Sequence, residues 1–227
     1  MIQKPLHHFI ESILILRWNN APILAILNDF IATIDISNNS WQSHRPPLHR
    51  ATMKSLRDYI YEIPDFPAPG ILFRDITGIL DSGAGFGLCC ADLADAVHGV
   101  DFDLVAGIES RGFIFGAPLA ERFHKPFVPV RKMGKLPRKT VSQTYALEYG
   151  TATIEMHEDA VEPGQRVVLV DDLLATGGTM AAACSLVERL GGVVAKILFV
   201  VELAGFGARG TRLAGRPVDS LISYDGK

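Results

Sequence analysis

The sequence predicts an α/β fold, a parallel sheet with helices on both faces. Three observations predict it. Residues 104–108 and 167–170 carry no polar side chain, as in strands whose two faces are both covered. Segments with apolar residues at helical spacing separate such runs, as the crossovers of a parallel sheet require. The 227 residues are 48% hydrophobic and 21% charged. That composition suits one globular domain with or without an appendage, and it excludes a disordered, collagen-like or low-complexity chain.

The elements follow in chain order. Residues 1–52 differ from the rest, with apolar runs at 13–16 and 23–27, then Asn38, Asn39 and Ser40, then Arg45, Pro46 and Pro47. The longest uncharged run there, 18–28, is well short of the ~20 residues a bilayer needs. Glu11 and Arg17 interrupt any signal-peptide pattern. An amphipathic or poorly ordered extension is expected, such as an upstream start codon chosen in error would add. A patterned domain, 53–227, opens at Met53.

Within it, Leu56, Tyr59 and Ile60 have helical spacing over 54–62, and Pro64, Pro67, Pro69 and Gly70 make a loop. Helices are expected at 86–97, 113–123 and 179–190, the last ended by Gly191 and Gly192. Strands are expected at 104–108, 127–130, 167–170 and 193–203, with a hairpin of 145–149 and 152–156 around Gly150 and Thr151. Ligands of such sheets sit at the carboxyl ends of the strands.

Charge and cysteines narrow the function. With 22 Lys+Arg against 25 Asp+Glu the formal net charge is −3, so no basic excess exists to release counterions from a nucleic acid. An anionic ligand must be held by a local site. Cys89, Cys90 and Cys184 form no C-x-x-C pair, which argues against a disulfide framework and a thiolate zinc site and for a reducing, cytoplasmic setting. The seven histidines form no H-x-x-x-H pattern, so no metal held directly by protein side chains is expected. The G-x-G-x-x-G of 205–210 leaves only 17 residues after it, too few for a dinucleotide site.

The strongest signal is VVLVDDLLATGGT at 167–179. A buried strand ends in Asp171 and Asp172, a small turn with Ala175, Thr176, Gly177 and Gly178 follows, and a helix opens at Thr179. Backbone N–H groups at a helix N-terminus carry partial positive charge and unpaired donors, which suits a phosphate. The two carboxylates accept hydrogen bonds from sugar hydroxyls beside it. Together they describe a ribose 5-phosphate cradle. No lysine follows the glycines, so this is not a P-loop.

These residues resemble the 5-phosphoribosyl-diphosphate (PRPP) signature of the type I phosphoribosyltransferases. Residues 55–224 are similar to the adenine-specific branch of that family. The motifs that carry the likeness are FPAPGILFRDI at 66–76, ESRGF at 109–113, RKMGKLP at 131–137 and LEYG at 147–150. The resemblance implies a twisted, mostly parallel sheet flanked by helices with a small hood subdomain. It implies transfer of the phosphoribosyl group of PRPP to adenine, giving AMP and diphosphate. Mg²⁺ arrives bound to PRPP, no nucleic acid or membrane is a partner, and the assembly is a homodimer.

By the same resemblance, Asp171 and Asp172 hold the ribose, and Ala175, Thr176, Gly177, Gly178 and Thr179 the 5-phosphate. Ser110, Arg111, Arg131 and Lys135 hold the diphosphate, with a cis peptide at Glu109–Ser110. Leu72, Phe73, Arg74 and Leu203 enclose adenine. Glu148, beside Tyr149 at the far end of a mobile loop starting at Arg131, exchanges a proton with the purine. The competing readings are a 6-oxopurine phosphoribosyltransferase and a non-catalytic PRPP-sensing regulator. The regulator should carry a DNA-reading helix and a basic face.

Overall fold

The computed structural model describes residues 54–146 and 150–226. A single 3-10 turn, Leu56–Tyr59, leads into a hairpin of β1 (Tyr61–Pro64) and β2 (Leu72–Asp75). Helices α1 (Thr77–Leu80) and α2 (Gly83–Ala96) follow, then β3 (Leu104–Ile108), α3 (Arg111–Arg122) and β4 (Phe127–Lys132). A second hairpin joins β5 (Thr140–Ala146) to β6 (Thr151–His157). The chain continues through β7 (Arg166–Leu174), α4 (Gly178–Arg189), β8 (Val193–Leu203) and β9 (Val218–Tyr224).

Among the described residues the large sheet has seven strands in the order β5-β6-β4-β3-β7-β8-β9. Strands β4, β3, β7, β8 and β9 are parallel neighbours, and β6 joins β4 antiparallel. The β1–β2 hairpin is a separate two-stranded sheet, in the place of the expected hood. No helix among the described residues is long and apolar enough to cross a membrane.

The fully apolar strands supply two cores at once. Leu104, Ala106, Ile108, Val167 and Leu169 pack with Met180, Ala183, Leu186 and Val187 of α4. Their neighbours Val105, Val168 and Val170 point the other way, onto Leu93 of α2 and Phe115 and Leu119 of α3. The side-chain period of two thus splits each strand between the layers. Each such buried Leu or Val contributes about 1.5–3 kcal/mol relative to exposure.

Two expectations shift, and one strand was not expected. The helix expected over 54–62 is one 3-10 turn, capped reciprocally by Ser55 and Asp58. After it Tyr61–Pro64 pairs antiparallel with Leu72–Asp75, and that pairing overrides a periodicity carried by three residues. The second half of the expected mobile loop is strand β5, paired with β6 from Thr140↔His157 to Ala146↔Thr151. The edge strand β9 has Val218, Ile222 and Tyr224 buried between polar positions, a weaker signal than a continuous apolar run. The remaining elements lie within a few residues of expectation, and β8 coincides with it. The glycine motif at 205–210 forms two three-residue 3-10 turns, Ala204–Phe206 and Ala208–Gly210, with no helix to receive a dinucleotide.

Candidate active site

The register of β7 creates the site. Its pairing with β3 ends at Gly107↔Val170, while its pairing with β8 continues through Asp171↔Phe199 to Leu174↔Glu202. Asp171 and Asp172 therefore lie inside a strand, not at its end, but beyond the reach of β3. A cleft of about 170 Å³ opens there. Its walls are Ile108 to Arg111 after β3, Lys132 of β4, Tyr145 and Ile154 of the second hairpin, Asp171, Asp172 and Thr179.

The loop after β3 is pressed tightly against β7. The Glu109–Ser110 peptide is cis, as the resemblance implies. A Cβ on Gly112 would lie 2.6 Å from the Val170 carbonyl and 3.1 Å from Asp171 Oδ1, so only glycine lets α3 start this close. Arg111 Nε stands 2.8 Å from Asp172 Oδ2. The backbone N–H of Asp172 donates to Asp171 Oδ1 at 2.9 Å.

The two acids share one environment with unequal support. Burial pushes the Asp171 carboxyl well above its ordinary value, and the neighbouring Asp172 charge adds to the shift. Burial also raises Asp172, which is 4% exposed, but Arg111 opposes the shift. The two carboxyls therefore titrate as a coupled pair, with Arg111 supporting the charge on Asp172.

Across the cleft, Glu109 anchors the end of β4. It accepts from Arg131 Nε at 3.1 Å and Nη2 at 3.2 Å, and from the Lys132 amide at 3.0 Å. The Arg131 hydrogen bonds hold its carboxyl below the ordinary range. Arg131 Nη1 also donates to the Lys135 carbonyl at 2.9 Å. Glu155, 5% exposed, accepts from the Lys135 and Leu136 amides at 3.0 Å each and from Thr140 Oγ1 at 3.3 Å. Burial alone would raise this carboxyl, but the backbone donors and Thr140 outweigh it and the net shift is downward. Two carboxylates thus fix the backbone between β4 and β5.

The turn after β7 leads directly into α4. Gly177, at φ 76°, takes the left-handed conformation at the N-cap, and no side chain caps the helix. The first amides of α4 are the donors a helix leaves unpaired, and they suit an anion. Thr179 Oγ1 donates to the Tyr145 hydroxyl at 3.0 Å.

Of the residues expected from the sequence, Ser110, Arg111, Asp171, Asp172 and Thr179 line this cleft. Ala175, Thr176, Gly177 and Gly178 form the turn leading to Thr179. Arg131 and Lys135 do not line it, and Lys132 does. Leu72, Phe73 and Arg74 lie on β2, apart from the cleft walls. Phe73 meets Phe66 edge-on at 5.1 Å between ring centroids. Arg74 pairs with Glu62 and stacks 4.0 Å from the Tyr224 ring centroid. Tyr224 is the register partner of Leu203, so the hairpin meets the sheet where Leu203 ends β8. Glu148 and Tyr149 lie outside the described residues. Sequence reasoning gave no role to Lys132, the second residue of the basic motif, or to Tyr145, which sits three residues before Glu148 with no pattern to mark it.

Residues 86–213 match the phosphoribosyl transferase domain model. An adenine phosphoribosyltransferase from Agathobacter rectalis is 59% identical over 175 residues, covering 77% of this chain and 100% of the relative. The crystal structure of the adenine phosphoribosyltransferase from Thermoanaerobacter pseudethanolicus is 53% identical, with TM-score 0.72, over 74% of this chain and 98% of the other. The Saccharomyces cerevisiae adenine phosphoribosyltransferase, solved with an imino-altritol bisphosphate and adenine, is 39% identical, with TM-score 0.68, over 73% and 96%.

Proposed function

This chain belongs to the adenine phosphoribosyltransferases of the phosphoribosyl transferase family, and from that premise we propose how its cleft performs the transfer. The reaction joins adenine N9 to the anomeric carbon of PRPP and releases AMP and diphosphate. The observation that carries the residue assignment is the pairing of two strand-borne acids with an uncapped helix N-terminus across one cleft.

Asp171 and Asp172 hold the ribose hydroxyls. The amides of residues 175–179 and the Thr176 hydroxyl hold the 5-phosphate, fixing the sugar for in-line displacement. Arg111 exchanges its Asp172 partner for a diphosphate oxygen when the ribose takes Asp172, so one movement readies both halves of the substrate. Ser110 and Lys132 face the same leaving group. Arg131 and Lys135 stand behind it, and their charge favours the departing diphosphate. Phe73 and Leu72 offer adenine an apolar face, Leu203 presses from the other side, and Arg74 fixes the hairpin by stacking on Tyr224.

The residues present suit substrate-borne Mg²⁺. Two carboxylates supply the hard oxygen donors that a hydrated cation accepts. Among the described residues no three His, Cys, Asp or Glu gather to hold a metal unaided. When bound, Mg²⁺ neutralises charge on the diphosphate. Cys89, Cys90 and Cys184 are all unpaired, which supports a cytoplasmic setting. The family likeness supports a homodimer and a catalytic domain spanning 53–227, matching relatives aligned over their whole length.

Glu148 exchanges the proton of the purine ring. Single-turnover transfer with adenine and PRPP tests this. Glu148→Gln should slow the chemical step about 100-fold, the low end for a general acid or base, with PRPP affinity unchanged. An unaltered single-turnover rate removes Glu148 from the mechanism.

A further inference from the structure

We propose that Tyr145 is a further substrate-contacting residue, whose phenol hydroxyl donates to the same 5-phosphate that Thr179 binds. The inference rests on the ribose 5-phosphate reading of the cleft. Tyr145 lines that cleft with Thr179, Asp171 and Asp172. Its hydroxyl lies 3.0 Å from Thr179 Oγ1. Two hydroxyls that share one hydrogen bond own two protons, and the bond consumes one. Thr179 Oγ1 spends its proton on that bond, so the Tyr145 O–H is the one left to donate to an anion, while Thr179 offers its backbone amide. A hydrogen bond to a charged phosphate is stronger than one between neutral groups.

The placement of the ring is built in. Tyr145 pairs with Ala152 in the antiparallel hairpin, so a ladder and not a free loop sets its position. A Cβ on Gly178 would lie 3.3 Å from Tyr145 Cδ2 and 3.4 Å from the Ala146 carbonyl, so the ring rests on the first residue of α4. Glycine at 178 leaves room for that contact. The sequence passes from Tyr145 to Glu148 in three residues. A phosphate gripped by Thr179 and Tyr145 together therefore ties the substrate to the segment that carries the proposed proton-transfer group.

The test uses the full chain and two fragments of the substrate. Ribose 5-phosphate and inorganic diphosphate are each titrated calorimetrically into wild type and Tyr145→Phe. The variant should bind ribose 5-phosphate about tenfold more weakly, bind diphosphate as wild type does, and show a raised KM for PRPP with little change in kcat. Diphosphate binding also reports that the variant is folded. Equal affinity of both proteins for ribose 5-phosphate overturns the proposal. So does an equal loss for both fragments, since that marks a purely structural role. Failure of wild type itself to bind ribose 5-phosphate overturns the cradle reading as a whole, and is distinct from a defect confined to the variant.

Discussion

Replacing both strand acids, Asp171→Ala with Asp172→Ala, should lower kcat/KM for PRPP by about 10²- to 10⁴-fold. On the proposed assignment each carboxylate accepts hydrogen bonds from the ribose, at about 1.5–3 kcal/mol per bond to a charged group. Steady-state transfer to adenine measures the loss, and a loss below tenfold contradicts the assignment. The single change Asp171→Asn separates function from stability. Burial raises the folded-state pKa of Asp171 above its unfolded value of about 3.9. The stability it contributes is therefore complete below that value and is lost as pH rises through the folded pKa. Asparagine keeps the acceptor for the Asp172 amide and has no charge to bury. The unliganded variant should melt near wild type at pH 4 and above it at pH 8, while binding PRPP more weakly. A melting difference that does not grow with pH contradicts the strained-acid account.

Gly112→Ala should damage both fold and site from outside the set of substrate contacts. The new methyl would meet the Val170 carbonyl at 2.6 Å and the Asp171 Cα at 3.2 Å. Both are backbone atoms of a central strand and cannot turn aside. The start of α3 must move off β7, at a cost of about 1–3 kcal/mol, and Ser110 and Arg111 move with it. A displacement near 1 Å is enough for about a 100-fold loss in rate. Denaturant unfolding and PRPP kinetics measure the two effects. Gly87→Ala in α2 is the control, because nothing lies within 4 Å of its Cβ and an alanine suits a helix better. Equal behaviour of the two variants contradicts the close-approach argument.

Much of this arrangement was legible in the sequence, for identifiable reasons. The runs at 104–108 and 167–170 announce themselves because strands covered on both faces have no polar positions to blur the signal, and 193–203 is interrupted only by Lys196 and Glu202. Asp171 and Asp172 stood out because carboxylates at the end of such a run have no structural reason to be there. What stayed hidden depends on pairing between distant segments. Tyr61–Pro64 becomes a strand only because Leu72–Asp75 returns beside it. The acids reach a cleft because β3 stops pairing at Val170 while β8 does not, and no local pattern encodes that register. Glu155 reads as an ordinary strand acid, and Glu109 as part of the ESRGF motif with no side-chain partner indicated. Only the folded chain shows that they hold backbone amides within the basic motif.

A crystal soaked with ribose 5-phosphate shows whether this cleft is the sugar-phosphate site. The phosphate should lie on the first amides of α4, within hydrogen-bond distance of Thr179, with the sugar hydroxyls on Asp171 and Asp172 and Arg111 released from Asp172. A sugar phosphate bound elsewhere, with the Arg111–Asp172 pair intact and the cleft empty, contradicts it.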